Sequence, residues 1–173
     1  MECDERSARA SVYAKKLARM IRVRTVQEPG NARSFEDFHA LLEELFPAVF
    51  ERCELKMFGS DGGSLLFCWR SACVDEEKQP ALLLMSHQDV VDAEGPWVHE
   101  PFGGEIAEGR VWGRGALDIK GNLLCILQAL EELIEAGFSP TFDIYVASSD
   151  CEEIGGNDLV PSYLKNQQVD IDL

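Results

Sequence analysis

Hydrophobic residues recur at helical spacing in three stretches of the chain, and this pattern predicts three long helices. The helices are expected at residues 7–23, 35–46 and 121–136. Ser34 stands just before the second apolar stripe and is expected to cap that helix, whereas Gly137 is well placed to end the third. The residues expected on the buried faces of the first two helices are Val12, Leu17, Met20 and Ile21, then Phe35, Phe38, Leu41, Leu42 and Leu45.

Apolar runs of strand length lie between these helices. Residues 52–58 and 64–70 flank a glycine-rich turn, which predicts a hairpin. The continuous apolar run at 80–86 is typical of a strand that is buried on both faces. Residues 141–147 form another apolar run and predict another strand.

Shorter patterns complete the chain. They predict a hairpin around 107–110, a helix near 157–166 and a strand at 168–173. Because strands alternate with helices in the second half, the fold class predicted is α/β, with a mixed, largely parallel sheet flanked by helices.

Composition and net charge limit the kinds of molecule that the chain is expected to bind. The chain has 173 residues, of which 46% are hydrophobic and 27% charged, a composition typical of one globular domain. The formal net charge is −15. We therefore expect neither nucleic acid nor an anionic membrane surface as a partner, because both repel an acidic protein.

The N-terminus and the cysteines indicate a compartment. No apolar run approaches the roughly 20 residues that cross a bilayer. Charges are scattered through residues 1–20, so no export signal is recognised there. The six cysteines form no CxxC pair. We expect reduced thiols and a cytoplasmic location.

Three polar segments follow predicted strands or a hairpin, and ligands in open α/β sheets bind beyond the carboxyl ends of the strands. The first segment is Ser86-His87-Gln88-Asp89. A lone histidine is more often structural than a ligand. Asp89, however, lies two residues on and on the same side of an extended chain, where its carboxylate can accept one imidazole N–H and direct the other nitrogen at a metal.

The second segment, residues 112–121, leads into the predicted third helix. Asp118 could simply cap that helix, which aspartate commonly does. Gly113 and Gly115 allow the backbone a positive φ or a close approach to another group. The glycine spacing matches neither a dinucleotide-binding fingerprint nor a P-loop.

The third segment, residues 149–156, contains the adjacent carboxylates Glu152 and Glu153. Adjacent acidic residues usually indicate a solvated loop. Here they follow an apolar strand, and neighbouring side chains on extended backbone diverge, so one could bind a metal while the other holds a water. A nucleophilic role for Cys151 is disfavoured, because no histidine belongs to the same segment and a metal mechanism needs none.

Taken together, the segments LLLMSHQDVV, GPWVHEPFGGEIAEGRVWGRGALDIKG and SSDCEEIGG resemble the M20 metallopeptidase family. The resemblance is closest to its carboxypeptidase S and N-acyl-amino-acid hydrolase branch, and it covers about residues 80–160. The separations also match: 31 residues from His87 to Asp118 and 34 from Asp118 to Glu152.

The resemblance implies a role for each residue. His87 binds one zinc, Asp118 bridges two zincs and Glu153 binds the other. Glu152 is the general base, and Asp89 orients His87. The implied cofactors are two Zn²⁺ ions, with Co²⁺ or Mn²⁺ as alternatives. The implied substrate is a small peptide or an N-acyl amino acid.

The resemblance also implies a cis peptide between Asp118 and Ile119, and it defines what is expected outside the chain. A further carboxylate ligand is expected just beyond Leu173, and a distal histidine beyond that. Asp170 and Asp172 come too early to replace that carboxylate. The chain is thus expected to be the N-terminal portion, residues 1–173, of a dinuclear metallohydrolase catalytic domain.

A lid and dimerisation domain and the C-terminal part of the catalytic domain are expected to be absent, and full-length relatives are often homodimeric. Two positions depart from the family pattern: Cys151 stands where an acidic residue is common, and Ile119 where a polar residue is common.

Three hypotheses follow. The first is a metal-dependent hydrolase of amide bonds in peptides or N-acyl amino acids. The second is a non-catalytic metal-binding fragment, and the third is an α/β module that has lost its chemistry. The third is disfavoured, because drift would not be expected to spare all five site residues.

Overall fold

A computed structural model describes residues 2–59, 63–72, 80–156, 159–169 and 171–172, with only the backbone described at 2–5 and 172. The helices are α1 (Glu2–Arg22), α2 (Ala32–Leu45), α3 (Pro47–Arg52), α4 (Lys120–Glu135) and α5 (Leu159–Asn166). The strands are β1 (Glu54–Phe58), β2 (Ser64–Trp69), β3 (Ala81–His87), β4 (Glu105–Ala107), β5 (Arg110–Trp112), β6 (Ile144–Ser149) and β7 (Ile171–Asp172).

The main sheet has the order β1-β2-β6-β3-β7. Strand β2 pairs antiparallel with β1 and β6, whereas β3 pairs parallel with β6 and β7. Strands β4 and β5 form a separate hairpin, as predicted. The predicted α/β class with a mixed sheet flanked by helices is confirmed, and β3 and β6 end side by side at His87 and Ser149.

Helices cover both faces of the sheet. Residues of α1, α2 and α4 pack with one face of β2 and β6, and Phe38, Leu42, Phe67, Leu127 and Val146 lie at the centre of this core with no exposed surface. Helix α5 packs on the other face, where Leu164 contacts residues of β2, β3 and β6. Met20 and Ile21 are buried as predicted, but Val12 is half exposed, because α1 packs with its C-terminal half.

The second helix begins earlier than predicted. Asn31 precedes α2, and Ser34 lies inside the helix, where its hydroxyl donates to Asn31 Oδ1 instead of capping the backbone. The pattern also gave no indication of α3, because six residues are too few to display a helical period. Pro47 begins α3, and Glu131 of α4 accepts hydrogen bonds from the backbone N–H groups of Ala48 and Val49.

The prediction that the third strand is buried on both faces is wrong. Met85 is 59% exposed. It lines a cleft of about 410 Å³ between β3 and α5, together with Leu83, Val160 and Leu164. The eight-residue α5 is too short to cover the whole strand.

The last three elements are shorter than, or displaced from, the predicted ranges. Strand β6 begins at Ile144 and runs on to Ser149. It begins there because the side chain of Asp143 accepts hydrogen bonds from the guanidinium of Arg70 and from the backbone N–H of Ser71. Helix α5 begins at Leu159, and positions 157 and 158 lie outside the described residues. Within the described residues, no helix combines the length and the hydropathy needed to span a membrane.

Candidate metal centre

His87 ends strand β3 with a buried side chain, of which 8% is exposed. Its Nδ1 donates to the main-chain oxygen of Asp89 at 3.0 Å, and the same nitrogen lies 3.4 Å from Asp89 Oδ1. Because a carbonyl oxygen can only accept, the proton sits on Nδ1. The other ring nitrogen, Nε2, faces Asp118 Oδ1, at 3.1 Å, and Glu152 Oε2, at 3.7 Å.

Asp89 connects two segments of this centre. It has no exposed surface, and its Oδ2 accepts a hydrogen bond from the backbone N–H of Glu153 at 3.0 Å. Its Oδ1 is buried and accepts no hydrogen bond within the described part of the chain. One carboxylate thus contacts the imidazole of His87 and fixes the turn that carries Glu153.

Asp118 lies in the turn before α4, and the peptide bond between Asp118 and Ile119 is cis, as the resemblance implied. Its side chain is 76% exposed. The alternative that Asp118 caps α4 is wrong, since Ile119 is the residue that precedes the helix and no side chain caps it. Gly115 has a φ of +80°, and a Cβ there would lie 2.7 Å from Val90 Cγ1, so the turn requires a glycine.

Glu152 and Glu153 lie in the turn that follows β6. Ligand atoms of His87, Asp118 and Glu153 all lie within 4.8 Å of one another. Glu152 is 60% exposed and reaches the same nitrogen of His87. All five residues singled out in the sequence are therefore brought together beyond the carboxyl ends of β3 and β6.

The donor set suits a divalent cation. One imidazole nitrogen and carboxylate oxygens are ligands that Zn²⁺ accepts, and Asp89 stands behind the imidazole, as carboxylates do in many zinc sites. Burial alone lowers the pKa of His87, but its hydrogen bonds to Asp89, the charge of Asp89 and the contact with Asp118 together raise it to about 9. The cluster therefore attracts positive charge where Nε2 faces the carboxylates.

Gln88 and Lys120 are two buried polar residues to which sequence reasoning gave no role. Gln88 Nε2 donates to the main-chain oxygen of Gly63, and Gln88 Oε1 lies 2.9 Å from His39 Nε2. The backbone N–H of Gln88 donates to Ser149 at 2.8 Å, which joins the ends of β3 and β6. No sequence signal distinguishes this glutamine from one on a surface.

Lys120 begins α4 and is fully buried. Its Nζ donates to the main-chain oxygens of Met20, at 3.1 Å, and Val23, at 2.7 Å. Burial lowers the pKa of Lys120 to about 7, against the opposing charge of Asp89. The only sequence signal was its position, two residues after Asp118.

Neither Cys151 nor His99 belongs to the group of candidate metal ligands found among the described residues. Burial raises the pKa of the Cys151 thiol, which contacts Ser149 and the main chain of Gly156. A raised pKa keeps the thiol protonated, which gives no support to a nucleophilic role. His99 stacks on Trp112 and hydrogen-bonds Glu105.

The fold and the clustered donors define a class of protein, and solved structures share the fold. Human carnosine dipeptidase 1 superposes with a TM-score of 0.73 at 16% identity, over 96% of this chain and 38% of the dipeptidase. The di-peptidase Dug1p from Saccharomyces cerevisiae gives a TM-score of 0.69 at 20% identity, over 92% of this chain and 36% of Dug1p.

The chain belongs to peptidase family M20/M25/M40, whose family model matches residues 83–173. This family is metal-dependent, and the group formed by His87, Asp118 and Glu153 is the candidate metal site of the chain.

Several sequence relatives are carboxypeptidase S proteins or N-fatty-acyl-amino acid synthase/hydrolases. Carboxypeptidase S-like 2 of Dictyostelium discoideum is 38% identical over 71% of this chain, and carboxypeptidase S of S. cerevisiae is 31% identical over 82%. The N-fatty-acyl-amino acid synthase/hydrolase PM20D1 of Xenopus tropicalis is 34% identical over 90%. The matched segments span 23%, 26% and 30% of the lengths of these three relatives.

Proposed function

We propose that the chain forms part of a metal-dependent hydrolase that cleaves an amide bond in small peptides or N-acyl amino acids. The observation that carries this proposal is the convergence of His87, Asp118 and Glu153, with ligand atoms within 4.8 Å, beside the further carboxylate of Glu152. Family membership supports the same reaction class.

In this proposal His87, Asp118 and Glu153 would hold the two Zn²⁺ ions, with Asp118 shared between them. When bound, the two cations would lower the pKa of a shared water and polarise the scissile carbonyl. Co²⁺ or Mn²⁺ are the alternative ions, because the same nitrogen and oxygen donors accept them. Asp89 acts as a positioning residue, since it fixes the tautomer of His87 and the turn of Glu153.

Glu152 is the general base. Its carboxylate is 60% exposed and faces the cluster, so it can reach a water molecule and a substrate from the solvent side. It takes a proton from the attacking water and then delivers that proton to the leaving amine. This exchange leaves Glu152 ionised again at the end of the cycle.

The substrate class follows from the relatives' names. One relative is named a carboxypeptidase and another an N-fatty-acyl-amino acid synthase/hydrolase, and these names support peptides and N-acyl amino acids respectively. We therefore propose peptides and N-acyl amino acids as one chemical class of substrate for this chain.

Metal binding is tested by titrating zinc into the metal-free 173-residue chain in a calorimeter, with the variant Asp118→Asn in parallel. We expect zinc to bind the wild-type chain and to bind Asp118→Asn at least tenfold more weakly, because the bridging carboxylate is lost. As a matched control, Glu51→Asn changes an exposed carboxylate of α3 and should leave the affinity unchanged. Equal zinc affinity for wild type and Asp118→Asn would overturn the proposed site.

Hydrolysis is tested by amine release from dipeptides and N-acyl amino acids by the zinc-loaded chain. Zinc binding without turnover would favour the second candidate, a metal-binding chain without catalysis. That candidate has an observation in its favour: the described residues offer three ligands for two ions, so each coordination shell stays open.

A further inference from the structure

We propose that Lys120 is a positioning residue that fixes the Asp118 turn against the end of α1 and so sets the metal affinity of the site. The proposal rests on the proposed function, since it assigns Asp118 to a metal.

The ammonium group of Lys120 is anchored at the C-terminal end of α1. It has no exposed surface, and its Nζ donates to the carbonyl oxygens of Met20 and Val23 and lies 4.7 Å from the centre of the Phe38 ring. Helix α1 ends at Arg22. Met20 lies in its last turn, where carbonyl oxygens have no intrahelical donors, and Val23 directly follows the helix. A cation is stabilised at that end of the helix dipole.

The backbone of Lys120 closes the turn that carries Asp118. Its N–H donates to the main-chain oxygen of Gly115 at 2.8 Å. The aliphatic stem lies under the same glycine, since a Cβ on Gly115 would be 3.5 Å from Lys120 Cδ. The six-residue turn from Gly115 to Lys120 is thus closed by contacts of Lys120 with Gly115, through its backbone N–H and its side-chain stem.

The side chain of Asp118 makes few contacts of its own within the described residues. Its side chain is 76% exposed, and its one hydrogen bond within the described residues is to Nε2 of His87, which a metal would replace. The position of its carboxylate therefore depends on the backbone of the turn, and that backbone depends on Lys120. Methionine would fill a similar volume but would remove the two hydrogen bonds to Met20 and Val23.

The test compares Lys120→Met with Glu131→Gln. Glu131 is also buried and charged, and it also binds the main chain at a helix end, but it contacts α3 and not the Asp118 turn. Both variants should unfold at lower urea concentration. We expect zinc affinity to fall 10- to 100-fold in Lys120→Met, as for other groups that support metal ligands, and to stay unchanged in Glu131→Gln.

The visible spectrum of the Co²⁺-loaded chain gives a second readout. Lys120→Met should change the intensity and position of the d–d bands, because a displaced Asp118 alters the coordination geometry, whereas Glu131→Gln should leave them as in wild type. If Lys120→Met does not fold, Lys120→Gln keeps an N–H donor for the same carbonyls, and we expect a smaller, several-fold loss of zinc affinity.

The outcomes separate the two proposals. If the wild-type chain binds zinc and the lysine variant that folds binds it equally tightly, with the same Co²⁺ spectrum, the positioning role is overturned and the metal site stands. If Glu131→Gln loses as much affinity as the lysine variant, the effect is general destabilisation and the positioning role is again overturned. If wild type and Asp118→Asn bind zinc alike, the proposed function itself fails.

Discussion

At the scale of single residues, the centre depends on an imidazole placed between carboxylates. His87 donates from Nδ1 to the backbone of Asp89, and its Nε2 faces Asp118 and Glu152. In the metal-free protein this nitrogen holds a proton strongly, because the surrounding carboxylates stabilise an imidazolium. A metal ion and a proton therefore compete for the same nitrogen.

The stability of the chelator-treated protein should depend on His87. The pKa of His87 is about 9 in the folded chain and 6.5 when unfolded, so its stabilising effect is complete below pH 6.5 and is lost as the pH rises through 9. The quantity to compare is the difference in unfolding free energy between wild type and His87→Asn. We expect this difference to be larger at low pH than at high pH, by up to about 3 kcal/mol. Urea denaturation from pH 6 to pH 10 measures this difference, and parallel profiles for the two proteins would contradict it.

Sequence reasoning found His87, Asp89, Asp118, Glu152 and Glu153 because their residue types, order and position after strands all indicate one chemistry. Lys120 could not be found in this way. Its function depends on Met20 and Val23, which lie about a hundred positions earlier in the chain. No local pattern encodes such a contact.

At the scale of elements, the first residues of α4 pack closely against the turn that carries Asp118. A Cβ on Gly121 would lie 2.4 Å from the main-chain oxygen of Ala116, in the turn that carries Asp118. The contact is with backbone, so it cannot be relieved by rotating a side chain. Glycine is thus required inside this helix, although it disfavours helix by about 1 kcal/mol relative to alanine.

We expect Gly121→Ala to destabilise the protein by about 1–3 kcal/mol, because the overpacking outweighs the gain in helix propensity. Zinc affinity should fall as well, because the new methyl group would displace the Ala116 carbonyl and shift the turn that carries Asp118. Gly156→Ala is the control, because no contact within 4 Å of its new methyl group is found among the described residues and its backbone is outside the left-handed region. Thermal unfolding and zinc calorimetry measure both effects, and a Gly121→Ala protein as stable as wild type would refute the steric argument.

Long elements were predicted better than short ones. Helix α4 and the β1–β2 hairpin repeat their apolar pattern over enough residues to be recognised. Helix α3 spans six residues and depends on the carboxylate of Glu131, which belongs to another helix. The exposure of Met85 was missed because an apolar run shows what a strand can bury, and not how far α5 reaches over it.

At the scale of the whole molecule, metal binding should stabilise the fold. The candidate ligands come from β3, from the turn before α4 and from the turn after β6, so the site exists only when these segments are assembled. At a free zinc concentration 100 times the Kd, the unfolding free energy should rise by about 2.7 kcal/mol. Urea denaturation with and without zinc measures the shift. The same shift in Asp118→Asn would show that zinc acts elsewhere.

The strand order lies beyond what alternating apolar patterns can specify. Such patterns predicted each strand of the main sheet, but they do not determine which strands are neighbours. In the structure β6 lies between β2 and β3, although it follows both in sequence. The neighbours are determined by packing of the two faces against α4 and α5.

The position of β6 between β2 and β3 determines when the main sheet can form during synthesis. During synthesis, β2 and β3 leave the ribosome long before β6. Strand β2 can pair with β1 at once, but neither β2 nor β3 can pair with β6 until Ile144–Ser149 has emerged. The backbone bond from Gln88 to Ser149 and the bond from Glu153 to Asp89 form only then. Until then the segments that carry His87 and Glu153 are not joined, so the candidate metal site can assemble only after β6 has been made.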